Sequence, residues 1–147
     1  MRTYTEIETQ VILPDGRSFV GDIGRVNYTF LGRIDGPAFA LHIDLAFAGY
    51  GQGTGYYSLD TLVNPPEKRK EEEIPIEEWH LRTGLKGGMD MIINIVDVFG
   101  VNSWERLKGE RIMVLRAKKH GNSPILGFVN LDTPTKYFVF GDLKWEG

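Results

Sequence analysis

The chain has 147 residues, 41% hydrophobic, 25% charged and 12% aromatic, a balance that fits one soluble globular domain rather than a disordered chain. It has no cysteine, which excludes a disulfide frame, a thiol nucleophile and cysteine-ligated zinc or iron–sulfur sites. A net charge of −3 is too small for a nucleic-acid mimic and of the wrong sign for bulk nucleic-acid binding, and no apolar run nears the ~20 residues that span a bilayer.

The first ten residues carry Arg2, Glu6 and Glu8 and no apolar core, so they do not read as a signal peptide. Residues 6–13 alternate polar and apolar as a half-buried strand does, and Pro14-Asp15-Gly16-Arg17 is a tight turn. A second strand is expected at 18–23. A third is expected at 25–31, where Val26, Tyr28 and Phe30 oppose Arg25, Asn27 and Thr29. After Asp35-Gly36-Pro37, residues 38–48 form a long strand. Phe39, Leu41, Ile43, Leu45 and Phe47 share one of its faces; Ala40, His42, Asp44, Ala46 and Ala48 share the other. The glycine-dense run 49–57 leads into a strand through Leu62, and Asn64-Pro65-Pro66 ends regular structure.

Residues 65–82 then read as an exposed charged loop or flap. Within it, 67–78 hold three basic and six acidic side chains, so the rest of the chain is neutral. Met89, Ile92, Ile93, Val96 and Phe99 recur at helical spacing and predict a helix over 88–99. Met91, Ile95 and Val98 are apolar too, so only Asp90, Asn94 and Asp97 are polar. Such a helix is expected to be buried on most sides, by a wrapping sheet or by a partner chain. Gly100 fits the position that ends it, a short turn follows at 104–108, and strands return at 111–117, 125–131 and 137–143. The sum is a single α+β domain over 1–147: a mostly antiparallel sheet of about seven to eight strands around one apolar helix and a short helical turn.

Glycines at 49, 51, 53 and 55 either offer N–H groups to a phosphate or base, or form a wide hairpin where another element packs closely. Their spacing fits neither the dinucleotide fingerprint nor the Walker loop. As a pocket, the run would bring Tyr50, Gln52, Thr54 and Tyr56 to a ligand, with Arg82, Lys86 and Arg116 as nearby cations. Gly84-Leu85-Lys86-Gly87-Gly88 is either an anion site at a helix start or a flexible entry to a buried helix. Between 104 and 119 six basic residues stand against two acidic ones, a patch for phosphates or an ordinary solvated strand and turn. His42, His80 and His120 show no metal spacing. His42 and Asp44 share a strand face, but neither Ser58 nor Ser103 lies in a nucleophile elbow. Asp90 and Asp97 stand roughly 10.5 Å apart along a helix, too far for joint acid–base work. No catalytic set, metal site or cofactor is expected.

Three phrases carry a resemblance: His42-Ile43-Asp44-Leu45, Gly51-Gln52-Gly53-Thr54-Gly55-Tyr56-Tyr57-Ser58-Leu59-Asp60, and Val98-Phe99-Gly100-Val101-Asn102-Ser103-Trp104-Glu105-Arg106-Leu107-Lys108-Gly109. Together they resemble a group of small uncharacterised bacteriophage proteins. In those, a strand leads to a Gly-Gln-Gly-aromatic-Gly-Gly-Tyr-type stretch ending in Leu-Asp, and a helix closes with Gly-Val-x-x-Trp-Glu-x-Leu-x-Gly before a strand. The likeness covers about residues 32–114; Thr54, Tyr56 and the charged insertion 65–81 depart from it. It transfers no catalytic residue. It implies a small protein made by a phage in the host cytoplasm. In its last signature, Trp104 and Leu107 are expected to dock on the sheet, with Gly109 releasing the chain.

The function expected is that of a non-enzymatic phage accessory protein acting by binding, in counter-defence. It would inhibit a host defence protein or sequester a small nucleotide signal, with no membrane or nucleic-acid partner and with a homo-oligomer left open. A protein-binding inhibitor would use the flap, with Trp79 as anchor beside Glu78 and Arg69. The alternatives are a virion or assembly protein and a small nucleotide hydrolase.

Overall fold

A computed structural model describes residues 9–33, 39–59, 85–117 and 123–143. In chain order they form β1 (Thr9–Ile12), β2 (Ser18–Arg33), β3 (Phe39–Phe47), β4 (Tyr50–Gly53), β5 (Tyr57–Ser58) and the helix α1 (Leu85–Phe99). A 3-10 turn (Trp104–Leu107), β6 (Arg111–Arg116), β7 (Gly127–Val129), β8 (Tyr137–Val139) and a last 3-10 turn (Phe140–Asp142) follow. The eight strands make one antiparallel sheet in the order β4-β3-β2-β6-β7-β8, with β1 on β2 and β5 on β3. The expected α+β domain is the one that forms.

β2 is the spine. The break expected at Gly24 does not occur, and the strand runs for 16 residues. Gly24 instead lets the Phe47 ring come close: a Cβ there would lie 2.7 Å from Phe47 Cε1. One edge of β2 holds β6, from Val20↔Arg116 to Arg25↔Arg111. The other edge holds β1 as far as Gly21 and β3 from Arg25 onward. Residues 22–24 therefore have no strand on that edge among the described residues, and the sheet splits there.

α1 covers one face. Met91, Ile95 and Val98 sink among Leu41, Ile43, Leu45, Val114 and Phe128, at the i, i+4, i+7 spacing of a buried helical stripe. The helix starts at Leu85, ahead of the expected Gly88, and a Cβ on Gly88 would run into the Leu59 carbonyl. Gly88 thus lies in the first turn of the helix, where its lack of a side chain lets Leu59 pack closely. Within the one chain, the sheet does not bury this helix on most sides: Met89 is 58% and Ile93 50% exposed. At its end Gly100 takes φ 74°, its N–H reaches Asp97 O at 3.0 Å, and the Val101 N–H reaches Val96 O at 3.2 Å, the double bond of a Schellman cap. Asn130 Nδ2 donates to Val98 O at 2.8 Å and satisfies another terminal carbonyl. Leu107 is fully buried in the same core, with Trp104 packed against it.

The sheet curls around this core. Tyr57, on the β3 side, stacks on Phe140 just past β8, with ring centroids 4.4 Å apart and planes 5° from parallel. β8 ends at Val139, short of the expected 143, because the chain turns at Phe140–Asp142. On the other face, Leu13, Leu115, Val129 and Val139 form a second small core with Val11, Phe19, Met113 and Tyr137. Arg17 clamps this hairpin to the end of the chain, donating to Asp142 Oδ1 at 2.9 Å and Oδ2 at 2.7 Å. On the outer face where β2 meets β3, Tyr28 is exposed.

Candidate functional site

The glycine run folds as the hairpin reading anticipates, and it divides the expected pocket between two faces of the sheet. β3 turns into β4 through Ala48 and Gly49, whose φ is 88°, so that Phe47 pairs with Tyr50 and Leu45 with Gln52. Those pairs share the helix side, as does Arg116 at the end of β6. Arg116 is wholly buried. Its Nη2 and Nε donate to Gln52 Oε1 at 2.6 and 3.1 Å, and its guanidinium lies 4.6 Å from the Phe47 ring centre. Gln52 Nε2 in turn donates to Ser123 O at 3.0 Å. The counter-charge is Asp22, also buried, which accepts the Tyr50 hydroxyl at 2.6 Å and stands 3.8 Å from Arg116 Nη1. Tyr50, Gln52 and Arg116 do come together, but they close around the protein's own carboxylate. Arg116 Nη1 has no hydrogen-bond partner among the described residues. Asp22 was missed in the sequence; its signal is a lone carboxylate on the alternation that also carries Val26.

Thr54 and Tyr56 go elsewhere. Thr54 Oγ1 accepts the Ile43 N–H at 3.1 Å and donates to Gly55 O at 2.9 Å. Asp44 pairs with Gly53 but Leu41 with Tyr57, which leaves one extra residue between β4 and β5. Gly55, at φ 84°, absorbs that bulge and delivers Tyr56 to the outer face. There the Tyr56 ring stacks on His42 at 4.4 Å and 15°, with Phe30 edge-on to Tyr56 at 5.7 Å and Tyr28 5.9 Å from His42. Gly53 makes the arrangement fit, because a Cβ there would overlap the imidazole. His42 is buried underneath, with Nδ1 unpartnered among the described residues, while Tyr56 is 51% and Tyr28 45% exposed. These rings form an open aromatic shelf. Asp44 shares the face with His42, as expected, but its Oδ2 takes the Asn27 amide at 3.2 Å instead.

Where β2 parts from β3, a cleft of about 310 Å³ opens, lined by Asp22, Phe47 and Ala46 and bordered by Arg25 and Arg111. Arg25 Nη1 donates to Gly109 O at 3.1 Å. Of the basic stretch 104–119, Arg106, Lys108 and Arg111 are exposed and Arg116 is not. Lys86 falls in the first turn of α1 with its side chain outside the described residues. Arg82, Trp79, Glu78, Arg69, His80, His120 and the flap 65–82 also lie outside them. Among the described residues no group of three metal-ligating side chains forms, and no helix is long and apolar enough to cross a membrane. Compared with known proteins, the chain matches no family model, no curated protein and no solved structure.

Proposed function

We propose that the protein acts by binding, as a phage accessory protein that holds a small nucleotide signal of its host on the outer face of β2 and β3. The observation that carries this reading is the shelf: Tyr56 stacked on His42, backed by Phe30 and Tyr28, with half of the Tyr56 surface open. Stacking of a base on an aromatic side chain is worth about 1–3 kcal/mol and suits any base, because every base has a π-face. The Asp44–Asn27 pair beside the shelf offers a carboxylate and an amide to the edge of a base or to ribose hydroxyls. The phage resemblance supplies the setting, counter-defence in the host cytoplasm.

The test is to incubate the purified protein with a nucleotide extract of host cells, desalt it, denature it and weigh what it releases. Release of an unaltered nucleotide by the wild type and not by Tyr56→Ala supports the proposal. Equal release by both, or release of a hydrolysed product, contradicts it.

A further inference from the structure

The geometry points to a phosphate subsite at Arg25 and Arg111, so that the ligand of the shelf is a nucleoside polyphosphate rather than a nucleoside. This rests on the shelf being the base site. Arg25 and Arg111 stand directly opposite each other on neighbouring strands, so both side chains leave the same face of the sheet. Like charges in that position destabilise a sheet. Neither guanidinium has a carboxylate partner among the described residues, and Arg25 is steadied by the Gly109 carbonyl rather than by a counter-charge. Both line the cleft left by the split between β2 and β3, which gives an anion room beside them. Asp22, on the cleft wall, is already engaged by Tyr50 and Arg116, which blunts its repulsion of an anion.

The spacing to the shelf fits one molecule. Ala46, the rung partner of Arg25, is four residues from His42 along β3, roughly 13 Å at ~3.3 Å per residue. A nucleoside triphosphate stretched from ring to terminal phosphate is of that order. Asp44 lies between the two ends, where it would repel a phosphate but accept from ribose hydroxyls. The sugar therefore belongs over Asp44 and the phosphates beyond it.

Titration calorimetry on the full chain with ATP, adenosine and inorganic triphosphate separates this inference from the reading it rests on. Wild-type protein should bind inorganic triphosphate, and should bind ATP roughly tenfold or more tighter than adenosine, the gain expected of charge-assisted hydrogen bonds. The double variant Arg25→Gln, Arg111→Gln should fall to the adenosine level for ATP, lose inorganic triphosphate, and bind adenosine as before. A double variant that binds ATP like the wild type overturns the inference, as does a wild type that ignores inorganic triphosphate. If Tyr56→Ala leaves adenosine binding unchanged, the shelf reading fails even where the arginines still hold triphosphate. Unfolding of the double variant without ligand, at a midpoint no lower than that of the wild type, shows that any loss is not misfolding.

Discussion

Gln52 accepts two hydrogen bonds from Arg116, at 2.6 and 3.1 Å, on the helix side of the sheet where Arg116 has no contact with solvent. A guanidinium so placed is held by a neutral acceptor, by the faces of Phe47 and Tyr50, and by Asp22 at 3.8 Å. Removing the counter-charge alone strands a buried cation, and breaking such a pair costs about 3–5 kcal/mol. Asp22→Ala should lose that much in urea unfolding. Asp22→Ala combined with Arg116→Met should recover most of it, because no buried charge remains.

The shelf makes a second demand on sequence. Gly53→Ala drives a methyl into the His42 imidazole, an overpacking expected to cost about 1–3 kcal/mol. In a His42→Ala background the same change should be close to neutral. Paired urea titrations of the four proteins measure the coupling.

Arg25 and Arg111 face each other without a counter-ion among the described residues, so the free protein carries an avoidable repulsion. Arg111→Gln should leave unliganded stability unchanged or raise it by about 0.2–1 kcal/mol, with the gain shrinking as salt screens the pair. Thermal unfolding at low and high salt checks both the sign and the trend.

Burial pushes the Tyr57 phenol above its ordinary value of 10.0. The folded state keeps this proton longer than the unfolded chain does, so the neutral phenol's share of stability is complete below about pH 10 and is lost as pH rises through the folded value. Tyr57→Phe keeps the ring stacked on Phe140 and removes this alkaline loss. Its unfolding midpoint should therefore decline less than that of the wild type from about pH 9 to pH 11.

Local chemistry was legible and long-range placement was not. The turn at 14–17 forms as read: Gly16 takes φ 96°, and Asp15 accepts the Arg17 N–H at 3.0 Å. The helix end at Gly100 was likewise written in adjacent residues, but the buried face was not: the spacing of Met89, Ile92, Ile93, Val96 and Phe99 pointed to one stripe, whereas Met91, Ile95 and Val98 are buried and Met89 and Ile93 are exposed. Gly24 looked like a break and proved to be clearance for Phe47, because a glycine in a strand does not reveal which ring will lie over it. The same holds for Gly88 under Leu59 and Gly53 under His42. Of the expected site, Tyr50, Gln52 and Arg116 did converge, and Tyr56 parted from them because one bulge residue moved it to the other face. The Arg25–Arg111 rung was invisible for a plainer reason: strand register joins residues 25 and 111, and nothing near either one announces the other.

Nucleotide binding on the outer face is tested by following the backbone amides of the protein by nuclear magnetic resonance as ATP is added. Shifts are expected to gather on the outer face, at Arg25, Tyr28, His42, Asp44, Tyr56 and Arg111, with the buried Arg116 cluster little changed. Shifts centred on the exposed α1 face at Met89 and Ile93, or no shifts at all, would contradict binding on the outer face.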